Sequence, residues 1–194
     1  MHCSGPGGSV AVAIHKSMGR VAKLGSLGER NKTMKIVESP PDKERRELIT
    51  AVINDAAAQL EVDPNNDTPE SIVTRVDEAI VAMALGNPTP VAQDERPDLL
   101  LGCLWGAQMA RQFNWYWANV VVNDSIDEVA MISPKQEMII FPFSFVGACI
   151  QKRCICTVLL TFNMLLANKL GEIEPGAYEA VMLRIFHVIP PYVL

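Results

Sequence analysis

The chain is poor in the groups that most enzymes depend on. Its histidines are only His2, His15 and His187, and the first two fall in the opening segment. It contains no phosphate-binding loop, no nucleophile elbow and no dinucleotide fingerprint. Long apolar runs are missing too. The longest, CICTVLLTFNMLLA at 154–167, spans 14 residues and includes Asn163, whereas a membrane span needs about 20. That run reads as a core helix, and no membrane association is expected.

Cysteine is present but unsuited to a framework. There are five, an odd number, and Cys103, Cys149, Cys154 and Cys156 lie in apolar runs. Reduced, buried thiols in a cytoplasmic protein are the expectation. They do not suggest a metal. On a helix Cys154 and Cys156 lie about 200° apart. Cys149 and Cys156 share a face, but two thiolates do not make a zinc site. No metal and no cofactor are expected. A lone histidine near a helix C-terminus, such as His187, is satisfied by the helix dipole and reads as structural.

Basic residues are scarce outside the first segment. Residues 1–33 carry five Lys/Arg (Lys16, Arg20, Lys23, Arg30, Lys32) against Glu29, while the rest of the chain has twelve Lys/Arg and twenty-one Asp/Glu, a net of −9. A body so acidic argues against nucleic-acid binding, which needs phosphate-neutralising cations. It suits a basic protein partner.

Residues 1–33 are rich in glycine and serine and lack a sustained period. Their only apolar run, VAVAI, is too short for a secretory signal. The segment is expected to be a poorly ordered leader outside the fold, with an organelle transit peptide as the alternative. Gly28-Glu29 can be encoded by purine-rich codons before Met34, so Met34 is also a candidate start. The expected domain is 34–194.

Within it, Ser39 as cap, Pro40 at the first helical position and Asp42 predict a helix over 40–60. Leu48, Ile49, Val52, Ile53, Ala56 and Leu60 form its apolar stripe. Thr68 or Asp67, Pro69 and Gly86 bound a second helix, with Ile72, Val73, Val76, Ile80 and Met83 buried. A third runs from Pro97 to Phe113 and ends at Asn114, with Gln108, Arg111 and Gln112 on its far side. WYWANVVV (115–122), EVAMIS (128–133) and EMIIFP (137–142), joined by short polar turns, predict three antiparallel strands. Residues 143–169 read as two helices or one kinked helix, and a last helix precedes Pro190. The expected fold is α+β: two N-terminal helices, a central helix, a three-stranded antiparallel meander and C-terminal helices.

The stretch from Leu101 through Pro142 resembles a bacterial family of uncharacterised α+β domains. The shared pattern is a Leu-Gly-x3-Gly helix (Leu101, Gly102, Gly106), an aromatic GWxW-like strand (Trp115, Trp117) and a strand ending in Phe141-Pro142. Asn114 stands where the family has glycine, and both residues tolerate the left-handed conformation. The resemblance covers about 97–150. It implies a bacterial origin and an α+β module, and it brings no established activity or catalytic residues with it.

Two helix-interior glycines cost about 2 kcal/mol together, so something must offset Gly102 and Gly106. Either they admit a close neighbour, or they floor a pocket walled by Trp115 or Trp117. The acidic turn supplies Asp124, Asp127 and Glu128, which solvated turn chemistry explains as well as acid–base work does. DPNND (63–67) begins like a calcium loop but places Thr68 and Thr74 where glycine and glutamate belong. The functional expectation is a non-catalytic, immunity- or antitoxin-like protein-binding module with a basic partner, Trp115, Trp117, Asp124, Asp127 and Glu128 being its candidate contacts. The alternatives are an enzyme using carboxylates near the tryptophan strand and a small-ligand binder on the glycine face.

Overall fold

Two consecutive prolines decide where the first helix begins. A residue before proline is held extended, so Ser39 and Pro40 stay out of the helix. Asp42 becomes the cap instead, its Oδ1 accepting from the Arg45 N–H at 2.8 Å. Helix α1 therefore spans Lys43–Gln59, and the expected start at Pro40 is corrected. The computed structural model describes residues 35–124, 126–152 and 157–188, with the side chains of Ile126 and 186–188 set aside. The expectations for the leader, for Cys154 and Cys156 and for the His187 side chain lie outside this described set.

Helix α2 spans Pro69–Ala84, capped by Thr68, and Gly86 ends it at φ +77°. After a short 3-10 turn at Pro90–Gln93, α3 runs Pro97–Phe113 and stops at Asn114, φ 57°. It is the axis of the molecule. Leu99, Leu101, Cys103, Leu104, Trp105 and Met109 are almost wholly buried between α1, α2, the helix at Pro142–Ile150 and the sheet. Gln108 is buried as well, contrary to expectation, donating to the Leu104 carbonyl and accepting from Arg111. Trp105 stacks on Phe145 with centroids 5.0 Å apart, and an aromatic buried this fully contributes about 2–3 kcal/mol.

The predicted meander is present as β2 (Tyr116–Val122), β3 (Ile126–Ile132) and β4 (Met138–Ile140), antiparallel in order. It is the middle of a larger mixed sheet. Strand β1 (Ile36–Ser39) pairs antiparallel with β2, and β5 (Glu179–Ala180) pairs parallel with β4. Helix α4 (Pro142–Ile150) and helix α5 (Val158–Leu166) are separate, and α6 covers Val181–Val188.

One face of the sheet, with Trp117, Val129, Met131 and Ile140, joins the main helical core. The other carries Ala118, Val120, Val122, Ala130, Ile132 and Ile139 in a second apolar cluster with Ile36, Phe141 and Tyr178. The sheet curls around this second face. Glu38 of β1 reaches Gln136 in the turn before β4, which lies three places away in strand order.

Candidate functional site

The glycine ridge of α3 is filled. A Cβ added at Gly106 would stand 2.5 Å from Trp117 Cζ2, and one at Gly102 would stand 2.8 Å from Phe143 Cδ1 and 3.2 Å from the Pro142 backbone. Trp117 and Phe143 stack on each other at 6.2 Å. Rings and backbone thus occupy the space that a pocket over the ridge would need. Trp115 is 5% exposed and belongs to the main core.

The acidic turn does not assemble a site. Asn123 and Asp124 both adopt positive φ, the geometry of a tight hairpin end. Asp124 is exposed and pairs with Lys35 at 3.0 Å. Asp127 and Glu128 are successive strand residues, so they project to opposite faces of the sheet. Glu128 lies 3.4 Å from the Ser144 hydroxyl. The three carboxylates therefore share no common point.

The calcium-like loop already holds a cation of its own. The Arg111 guanidinium donates to the carbonyls of Pro64, Asn65 and Asp67. Asp63 caps the loop from within through the N–H groups of Asn65 and Asn66. The Asn66 side chain, together with those N–H groups, holds the Asp63 carboxyl below its ordinary range. Among the described residues no cluster of His, Cys, Asp and Glu could hold a metal.

Sequence reading missed a polar cluster at the end of the curled face. Glu38 accepts from the Tyr116 hydroxyl at 3.2 Å and from Gln136 Nε2 at 2.8 Å, and it shares a hydrogen bond with Tyr178. Tyr178 sits at φ 48°, a conformation rare for a bulky side chain. Its backbone N–H donates to the Gln136 carbonyl at 2.8 Å. Burial first, then the Glu38 charge, pushes the Tyr178 phenol up to about 12, and the same causes raise Tyr116. Both phenols therefore remain donors, and together they tie β1 to the chain entering β5. The four residues come from distant parts of the sequence, and no local pattern marks them.

The acid surplus has a definite address. Residues 47–95 hold ten carboxylates and a single cation, Arg75, a net of −9. Glu47, Asp55, Glu61, Asp63, Asp67, Glu70, Glu78 and Glu95 are exposed. Helix α1 as a whole is neutral, because Lys43, Arg45 and Arg46 in its first turns balance Glu44, Glu47 and Asp55, so the excess lies in the 61–67 loop, α2 and the connection to α3. Neither helix has a basic residue in its last turn. Among the described residues no helix is long and apolar enough to cross a membrane.

No family model, no curated protein and no solved structure matches the chain.

Proposed function

We propose that this chain is a non-catalytic protein-binding module that engages a basic partner through the acidic stretch from the end of α1 to the connection before α3. The observation that carries the reading is the run of ten carboxylates against Arg75 between residues 47 and 95, eight of them exposed, which follows the three cations of the first turns of α1, Lys43, Arg45 and Arg46. A field of one sign steers an oppositely charged partner and rejects others. The sequence-derived contacts at Trp115, Trp117 and the acidic turn give way to this stretch, because both rings are committed to packing and the three turn carboxylates diverge. An immunity- or antitoxin-like role, in which the acidic surface covers a basic toxin surface, is the concrete form of this proposal.

The test uses the full chain as bait in its native host, with the captured protein identified, purified and rebound. The expected partner is basic. Its affinity should fall as ionic strength rises from about 0.05 M to about 0.5 M, because screening shortens the reach of surface charges. The variant Asp55→Asn/Glu61→Gln/Glu70→Gln should weaken it further while leaving the fold intact. Association indifferent to salt and to this variant, or no association, rejects the reading.

A further inference from the structure

We infer that the Glu38 carboxylate, at the rim of the curled face, binds a guanidinium group, carried by a free small molecule or by an arginine side chain. This site is separate from the acidic stretch at 47–95 and does not rest on it. Glu38 stands opposite Val120 in register, and Tyr116 opposite Ile132. Alternate residues of a strand share a face. The carboxylate and the Tyr116 ring therefore lie on the side that carries Ala118, Val120, Ile132 and Ile139, all buried. Glu38 is half-buried and Tyr116 is 36% exposed. The carboxylate thus has an aliphatic floor and an open side. Such a floor lowers the local dielectric and strengthens the pull on an opposite charge.

Among the described residues Glu38 accepts from neutral groups alone, namely Tyr116, Gln136 and Tyr178, and it enters no ion pair. The cations of the adjoining chain are committed: Lys35 to Asp124, Lys135 to Glu137 and Arg184 to Glu179. Burial, then Glu38 and Tyr116, raise the Tyr178 phenol, and no lysine or arginine lowers it. The geometry selects a forked cation over a point charge. The Tyr116 hydroxyl straddles both carboxylate oxygens, 3.2 Å from Oε1 and 3.3 Å from Oε2. A charge-assisted O–H···O bond is about 2.5–2.7 Å, so one proton is spread thinly along the edge that a bidentate donor uses. A guanidinium brings two parallel N–H groups to that edge and stacks on aromatic rings such as these phenols. Gln136 and Tyr178 are fixed from behind. Both have left-handed backbones, φ 59° and 48°, and the Tyr178 N–H donates to the Gln136 carbonyl at 2.8 Å. Only the Tyr116 hydroxyl has to give way.

The test titrates the full chain at low salt with acetyl-arginine amide and with its lysine and citrulline analogues. Lysine keeps the charge without the fork, and citrulline keeps the shape without the charge. The arginine compound should bind about ten-fold more tightly than either. Glu38→Gln keeps an acceptor but not the charge and should abolish that preference. Tyr116→Phe should bind the arginine compound about three-fold more tightly than the native chain, because the competing hydroxyl is gone. A cluster that only holds β1 in place would show no such gain. Melting temperatures check that both variants fold, and Tyr116→Phe decides the matter alone if Glu38→Gln does not. Equal binding of the arginine and citrulline compounds, no binding, or unchanged binding in either variant overturns the inference. Loss of binding in Asp55→Asn/Glu61→Gln/Glu70→Gln, with Glu38 intact, places the ligand on the acidic stretch and overturns it too. Tighter binding by the full-length Arg20→Ala/Arg30→Ala variant gives the site to the chain's own opening segment and overturns it equally. A Gly-Gly-Arg-Gly-Gly peptide separates the two sources. Tighter binding than acetyl-arginine amide supports a protein side chain as the ligand, and no gain supports a free guanidino compound.

Discussion

The Trp117 ring occupies the space that a side chain at Gly106 would need, within 2.5 Å of an added Cβ. Replacing Gly106 by alanine should gain about 1 kcal/mol of helix propensity. It should lose more than that to overpacking, which costs about 1–3 kcal/mol. Urea denaturation is expected to show Gly106→Ala less stable by about 1–2 kcal/mol. In a Trp117→Ala background the same change should be neutral or stabilising, because the obstacle is gone. A double-mutant cycle reads that coupling directly, and additive effects would deny the contact.

Arg111 should prove to be the clamp of the 63–67 loop. Its guanidinium serves the carbonyls of Pro64, Asn65 and Asp67 and the buried Gln108 side chain. Arg111→Ala leaves the loop carbonyls to water and the buried Gln108 Oε1 without this donor, and hydrogen bonds to charged groups each contribute about 1.5–3 kcal/mol. Surface exposure places the expected loss near the lower end, about 1–2 kcal/mol. Lysine should restore little, since a point charge cannot reproduce the fork. Hydrogen exchange should quicken at Asn65, Asn66 and Asp67, while α1 and α2 remain protected.

Cys103 should be inert in the folded protein. It is wholly buried in α3, and burial pushes its thiol well above the ordinary range, with the Asp98 carboxylate adding to the effect. The thiolate is the reactive form. Alkylation at pH 8 followed by peptide mapping should leave Cys103 unmodified until denaturant is added. Modification of native protein at the rate of an unfolded thiol would contradict the burial.

How much of this was legible in the sequence depends on how local each signal is. The bounds of α3 were readable because Pro97 starts it and Asn114 ends it in the left-handed region. The three middle strands were readable because their turns are too short for anything but antiparallel pairing. Strand β1 has four residues and β5 has two, too few for a period to register. Their places are set by pairing with β2 and β4, a tertiary fact. The first helix start was misjudged because Ser39 and Asp42 both have capping chemistry, and the double proline decided between them. The facing of Trp117 and the filling of the glycine ridge were open alternatives that only packing could resolve.

Glu38 and Tyr178 make the last expectation, which concerns alkaline pH. The Tyr178 phenol is raised to about 12 by burial first and by the Glu38 charge second, against an ordinary value near 10. The folded protein therefore keeps this proton after the unfolded chain has lost it. The resulting stabilisation is complete below pH about 10 and disappears as pH rises through about 12. The denaturation midpoint should fall over that window, and Tyr178→Phe should remove this component of the fall. In Glu38→Gln the negative charge is gone but burial remains, so the phenol should ionise at lower pH without reaching 10. Phenolate absorbance, taken as the difference from Tyr178→Phe, reports this shift. An unchanged ionisation in Glu38→Gln would mean that the carboxylate does not act on the phenol, and the tie between β1 and the chain entering β5 would then rest on Gln136 and Tyr116 alone.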